Sequence, residues 1–228
     1  MEVPPLRARI LETVIRKSTL KQKVFDNTFA TFNLLKDTLL EMASEMDDAL
    51  DGKLDRRVRI EYRDRGKFEV QLQVANDLLI FQMHTDVFDF GPEHPVRQTP
   101  YVQGGPENAY CGVVNIYNFL SDSFKFNRNA DEGYLIGRLF INRERRFFVE
   151  GKGQTSVRAD AFGSAEIERD ALVKVLEEAI AFALDFDLLT VPYDISARVT
   201  VDQFNTKMDN SKFVTGKRLG YEFDTQDI

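Results

Sequence analysis

The chain has 228 residues, 43% of them hydrophobic and 29% charged, so it can bury a core without a metal or a disulfide framework. Its formal net charge of −7 disfavours nucleic acid as a partner, because an acidic surface repels phosphate backbones. The single cysteine, Cys111, excludes an intramolecular disulfide and any multi-cysteine zinc site. Because neither a signal-like segment nor an apolar run of about 20 residues is visible, we expect a cytoplasmic protein that does not bind a membrane.

The segment 1–52 is predicted to be helical. Apolar residues recur every three or four positions from Phe25 to Leu50, which places them on one face of a helix. A similar stripe begins at Leu6 and is interrupted near Ser18, where a hydroxyl cap predicts the start of a second helix. A glycine then ends the segment, in the manner of many helix termini. The broad apolar face also predicts a homodimer that forms through this N-terminal helix.

Three strands are predicted between Arg57 and Phe90. Apolar and polar residues alternate there, which is typical of a sheet with one buried face and one wet face. A turn at Gly66 joins the first two strands, since glycine tolerates the backbone angles of tight hairpins. The third run, from Leu78 to Phe90, is mostly apolar but carries His84, so a strand and a candidate site coincide.

The rest of the chain continues this pattern. A loop rich in proline and glycine is expected over 91–110, and loops of that length are usually functional or mobile. A strand is predicted from 111 to 117 and a hairpin from Tyr134 to Gly151. A second helix is predicted over about 164–185, with Ser164 as its cap.

These elements predict an α+β fold. A mainly antiparallel sheet of five to seven strands is expected to pack against the long N-terminal helix and the helix at 164–185. We expect residues 1–201 to form one domain, with an edge strand near 198–201. The remaining residues, 202–228, are polar and weakly patterned, which predicts a loosely packed or partly disordered tail.

A polar series within the predicted sheet is the main candidate for a ligand site. Buried amides need hydrogen-bond partners, so a sheet face that carries several polar side chains is a candidate pocket. Arg138 and Glu150 are placed similarly on the predicted hairpin. The predicted ligand-binding residues are Gln82, His84, Asp86, Asn115, Tyr117 and Arg138. The alternative is that these residues form only the wet face of an antiparallel sheet.

The two histidines suggest a second kind of site. His84 and Asp86 lie two residues apart, and with His94 they supply two imidazoles and a carboxylate, a ligand set that suits zinc or ferrous iron. Cys111 is a candidate nucleophile, because a nearby imidazole can activate a thiol. The spacing is not diagnostic, and a cysteine beside two valines is more typically a small buried hydrophobe.

No phosphate-binding loop and no Gly-x-Ser-x-Gly elbow occurs in the chain. We therefore predict a non-enzymatic binding or adaptor protein, homodimeric and without a cofactor, that engages a protein partner or a small ligand. The alternative is a metal-dependent or cysteine-based hydrolase. Its catalytic candidates are His84, Asp86 and Cys111, and its metal-ligand candidates are His84, Asp86 and His94.

Overall fold

The computed structural model describes residues 5–53, 55, 58–129, 131–151, 157–185 and 200–201. Helix α1, Leu6–Leu50, is continuous, so the predicted interruption near Ser18 is wrong. The Thr19 hydroxyl donates instead to the carbonyl of Ile15 (2.8 Å) inside the helix, where Ser and Thr side chains commonly bond one turn back. The predicted glycine terminus is confirmed, because Gly52 has a φ of +70° directly after the helix.

A six-stranded sheet lies at the centre of the described residues and is antiparallel throughout, with its strands in chain order. The strands are β1 Ile60–Asp64, β2 Glu69–Val74, β3 Asp77–Met83, β4 Cys111–Leu120, β5 Tyr134–Asn142 and β6 Phe147–Gly151. The predicted α+β class is therefore confirmed. The predicted third strand is shorter than expected, since it stops at Met83 and only Phe88 pairs again, in an isolated bridge to Cys111.

One face of the sheet is covered by α1 and by helix α4, Arg169–Leu184. Alternate strand residues such as Leu72 and Phe81 point into this layer and are fully buried. Helix α4 begins later than predicted. Arg145 accepts from and donates to the backbone of Ile167 (both 2.9 Å), which holds the residues before the helix in an extended conformation.

In the part of the chain that the structure describes, the segment between β3 and β4 packs on the opposite face over β4, β5 and β6. Residues 84–110, which join β3 to β4, are here called the covering segment, and they contain two short 3-10 helices, Pro95–Gln98 and Pro106–Ala109, around helix α2, Pro100–Gln103. The expectation of a plain loop at 91–110 is therefore wrong. Pro95, Pro100 and Pro106 stand at helix starts, where a missing N–H costs nothing, and apolar side chains of the segment pack onto the sheet.

Helix α3, Ser121–Lys125, follows β4 directly. The predicted edge strand near 198–201 and the tail 202–228 lie outside the described residues, apart from 200–201. None of the helices that the structure describes combines the length and the apolar character that crossing a bilayer demands.

Candidate ligand-binding cleft

The register of the sheet places four polar residues in one row. Gln82 on β3 lies opposite Asn115 on β4, and Asn115 lies opposite Arg138 on β5. Arg138 in turn lies opposite Glu150 on β6. Directly opposed residues share a face of the sheet, so these side chains cross it side by side on the face away from α1.

A cleft of about 380 Å³ opens between this row and the segment that follows β3. It is lined by the polar residues His84, Asp89, His94, Asn115, Arg138 and Glu150, together with Phe88, Phe90, Gly91, Val113 and Phe140. A few convergent polar groups beside an aromatic wall are typical of a small-molecule site.

Glu150 is the centre of the polar contacts in the cleft. Its carboxylate accepts a hydrogen bond from Nη2 of Arg138 (2.6 Å) and lies 2.7 Å from Nε2 of His94. The Nδ1 atom of His94 accepts from the backbone N–H of Val96 (3.3 Å), so the Nε2 atom carries the proton that is donated to Glu150. Glu150 is thus held between two donors and fixes their positions.

The apolar wall is formed by aromatic rings from two directions. The Phe90 ring lies 4.5 Å from the His94 ring and 5.2 Å from the Phe140 ring, measured between centroids. The Arg138 guanidinium lies 5.4 Å from the centroid of Phe140, within the range of a cation–π contact. The wall therefore offers apolar surface directly beside the hydrogen-bonding groups.

Three of the predicted ligand-binding residues line the cleft: His84, Asn115 and Arg138. Sequence reasoning missed Phe90 and Phe140, the main apolar contributors. The high phenylalanine content, 19 residues, was visible in the sequence. It did not indicate a cleft, because a phenylalanine in a strand is ordinarily assigned to the core.

The other three predicted residues do not line the cleft. Gln82 stands at the outer end of the polar row and is exposed. The backbone N–H of Asp86 donates to Nδ1 of His84 (3.0 Å), which fixes the imidazole at the rim. Tyr117 lies two residues beyond Asn115 on the same face of β4 and is half-buried beside Phe119.

Cys111, the candidate nucleophile, does not line the cleft. Cys111 is fully buried in the apolar cluster beneath the covering segment. Burial, with a smaller contribution from Asp89, raises the pKa of its thiol well above the usual value. A protonated, buried thiol is a poor nucleophile. Among the residues that the structure describes, no three His, Cys, Asp or Glu side chains are grouped so that they could hold a metal ion.

No protein-family model matches the chain, and no curated protein or solved structure is significantly similar to it. Function is therefore inferred from the geometry and chemistry of the cleft and of the surface. A fold class by itself hosts many unrelated functions and adds no argument here.

Proposed function

We propose that the chain is a non-enzymatic binding protein whose cleft takes a small, formally neutral molecule with an apolar body and a hydrogen-bonding group. The observation that carries this proposal is the convergence of Asn115, Arg138 and Glu150 beside the aromatic wall. The cleft volume of about 380 Å³ falls within the range of small-molecule pockets.

The preference for a neutral ligand follows from the pairing of charges. Arg138 contacts Glu150 at 2.6 Å, and Asp89 contacts Arg97 at 2.5 Å, so the acidic groups of the cleft each have a basic partner. A charged ligand would lose its hydration on binding, and it would meet no unpaired group of opposite charge among these acidic groups and their partners. An amide, by contrast, matches the donor and acceptor of Asn115 and the guanidinium N–H groups.

The hydrogen bonds of the two histidines favour binding over hydrolysis. A general base needs an unprotonated nitrogen that faces the nucleophile. In His94 one ring nitrogen accepts from Val96 and the other faces Glu150, while Nδ1 of His84 accepts from the backbone of Asp86. These ring nitrogens therefore hold the side chains and backbone of the cleft in place and do not face a nucleophile.

The adaptor part of the proposal concerns assembly. We propose a homodimer through α1, supported by large apolar side chains that are exposed on its first turns. A ligand bound at the cleft and a partner bound at the helix would then be held by one molecule. A cytoplasmic location belongs to the same proposal and is supported by the single cysteine, which remains a free thiol.

The test of ligand binding uses three probes with the same benzyl body: phenylacetamide, phenylacetate and phenethylamine. Saturation-transfer NMR on the full chain is expected to rank the neutral amide first, with a Kd of about 1 mM. Asn115→Leu should abolish the signal, because it removes the amide and fills part of the cleft. Arg63→Ala is the matched control, since Arg63 lies on the outer strand β1, away from the cleft.

Two results would contradict the proposal. In the first, all three probes bind the wild type and the Asn115→Leu variant equally. In the second, a charged probe binds best, which would show that the paired charges do not govern selection.

A further inference from the structure

Helix α1 carries opposite charges at its two ends. Its first fourteen residues, Leu6–Thr19, are here called the arm, and they contain four basic residues and one acidic residue. The stretch 37–51, at the other end, contains six acidic residues and no basic residue. The helix is therefore complementary to a second copy of itself that runs in the opposite direction.

The arm packs no side chain into the core, although its Arg16 pairs with Glu107 of the covering segment (3.0 Å). Every arm residue is exposed, and burial of the helix against the sheet begins only at Leu20. The large apolar side chains of the arm are between 52% and 71% exposed, and they are Leu6, Ile10, Leu11, Val14 and Ile15. Successive members of this set are one, three or four positions apart, which places all five on one half of the helix. An apolar stripe flanked by basic residues is complementary to a surface that is apolar at its centre and acidic at its edge.

A groove of that character lies between the far end of α1 and α4. Its volume is about 460 Å³. The apolar lining residues are Met42, Met46, Val173, Ile180, Ala181 and Leu184. The charged lining residues are Glu41, Glu45, Glu177 and Arg169, of which Arg169 pairs with Glu41. Three carboxylates against one guanidinium leave the rim acidic.

We propose that the arm of one copy binds in this groove of a second copy, in a two-fold dimer whose α1 helices run antiparallel. The inference rests on the proposed homodimer and is independent of the cleft. At a rise of 1.5 Å per residue, residue 12 and residue 44 of α1 are about 48 Å apart. A two-fold axis at the level of residue 28 would therefore place each arm at the same height along the helix axis as the groove of the other copy.

The alternatives fit less well. Two arms that paired with each other would place like charges side by side, which costs binding energy. A single arm is also short for a stable interface of about 1,200–2,000 Å², whereas the two-fold arrangement provides two arm–groove contacts.

Disulfide trapping tests the contact directly. Leu11→Cys places a thiol on the arm and Ala181→Cys places one in the groove, and the buried Cys111 leaves the new thiols as the reactive pair. Under mild oxidation, a mixture of the two single variants should form a covalent heterodimer, while each single variant alone should not. Covalent dimers of Leu11→Cys alone would instead show arm–arm pairing and overturn the inference.

Analytical sedimentation of the full chain shows whether the arm–groove contact holds the dimer together or whether the dimer forms in another way. The wild type should be a dimer, and Ile10→Asp should raise the dimer Kd about thirtyfold or more without a change in the circular dichroism of the fold. The matched control is Leu135→Asp, at an apolar side chain of similar exposure on the sheet. If Ile10→Asp is still a dimer and the Leu11→Cys and Ala181→Cys variants form no disulfide with each other, the arm–groove contact is wrong. The proposed homodimer would then stand, with a different interface.

Two further outcomes also count against the inference. A wild type that is monomeric at all concentrations would overturn both the homodimer and the arm–groove contact. A monomer that co-sediments with phosphatidylserine vesicles would show that the basic arm binds an anionic lipid surface instead.

Charge exchange provides an independent check. Reversing the groove with Glu45→Lys and Glu177→Lys should weaken the dimer about tenfold. Adding Arg9→Glu and Lys17→Glu in the same chain should restore it, because the attraction is re-established with opposite signs. Failure of the arm substitutions to restore the dimer would contradict the proposed pairing.

Discussion

The two faces of the sheet have the same alternating pattern and opposite roles. The face beneath α1 and α4 is a continuous apolar layer in which residues such as Leu72, Phe81 and Leu139 are fully buried. The other face is apolar where the covering segment packs on it and again at the buried residues Leu78 and Ile80 of β3, and the polar row and the cleft lie between these two parts. Alternation thus decides which residues are buried, but the extent of the covering segment decides where a site is formed.

The covered face should depend most strongly on packing. Phe81→Ala is expected to lower the free energy of unfolding by about 3–5 kcal/mol, because it leaves a cavity beneath the helices. Gln82→Ala, the next residue along β3 and on the other face, should change it by less than about 0.5 kcal/mol. Urea unfolding of both variants measures the contrast. Similar losses at the two positions would show that the faces do not differ as described.

Two glycines provide a second contrast between the faces. A Cβ atom on Gly112 would lie 2.2 Å from Oγ1 of Thr28 on α1, so Gly112→Ala should destabilise the fold by about 1–3 kcal/mol. A Cβ atom on Gly91, in the cleft, meets nothing within 4 Å, and Gly91→Ala should be close to neutral. Thermal unfolding distinguishes them. A neutral Gly112→Ala would show that α1 lies further from β4.

Acid should weaken the contact between α1 and the β1–β2 turn. Lys36 donates to Asp64 (2.9 Å), and this bond, with the N–H of Gly66, lowers the pKa of the Asp64 carboxyl. The unfolded chain then binds more protons at low pH. The stabilisation is therefore present above the unfolded carboxyl pKa of about 4 and is lost as the pH falls below it.

Asp64→Asn tests that dependence. The variant should be slightly less stable than the wild type near pH 6, and the difference should shrink as the pH falls toward 3. Because Asp64 is half exposed, the effect is expected to be smaller than that of Gly112→Ala. A difference that stays constant over this range would show that the Lys36 bond does not depend on the carboxylate charge.

A small effect on stability is also expected for the charged pair in the cleft. Arg138→Ala should change the free energy of unfolding by less than about 1 kcal/mol, since its pair with Glu150 is near the surface. The same variant should reduce phenylacetamide binding. Urea unfolding and saturation-transfer NMR together separate the two roles. A large loss of stability would mean that Arg138 is structural.

Much of this architecture could be predicted from local sequence pattern. Alternation and helical periodicity indicated the sheet and both long helices, because those signals depend only on neighbouring residues. The break near Ser18 was wrong because a hydroxyl can bond within a helix as well as cap one. The order in the covering segment was missed because its short helices are held by contacts distant in sequence, such as that of the Tyr101 ring with the Phe162 ring (5.4 Å between centroids).

The candidate site was predictable only in part, because the sequence shows which residues are polar but not which of them become neighbours. The polar character of Asn115 and Arg138 is visible in the sequence, but their adjacency depends on the register of β4 against β5. The place of His94 beside Glu150 depends on the path of the segment after β3, which no local pattern fixes. The groove between α1 and α4 depends on how two helices far apart in sequence pack together.

The most direct test of the cleft is a titration of the full chain with phenylacetamide, followed by backbone amide chemical shifts. We expect shifts at His84, Asn115, Arg138 and Glu150, with the α4 residues that line the groove unchanged. Shifts confined to the groove, or spread evenly over the surface, would contradict the assignment of ligand binding to the cleft.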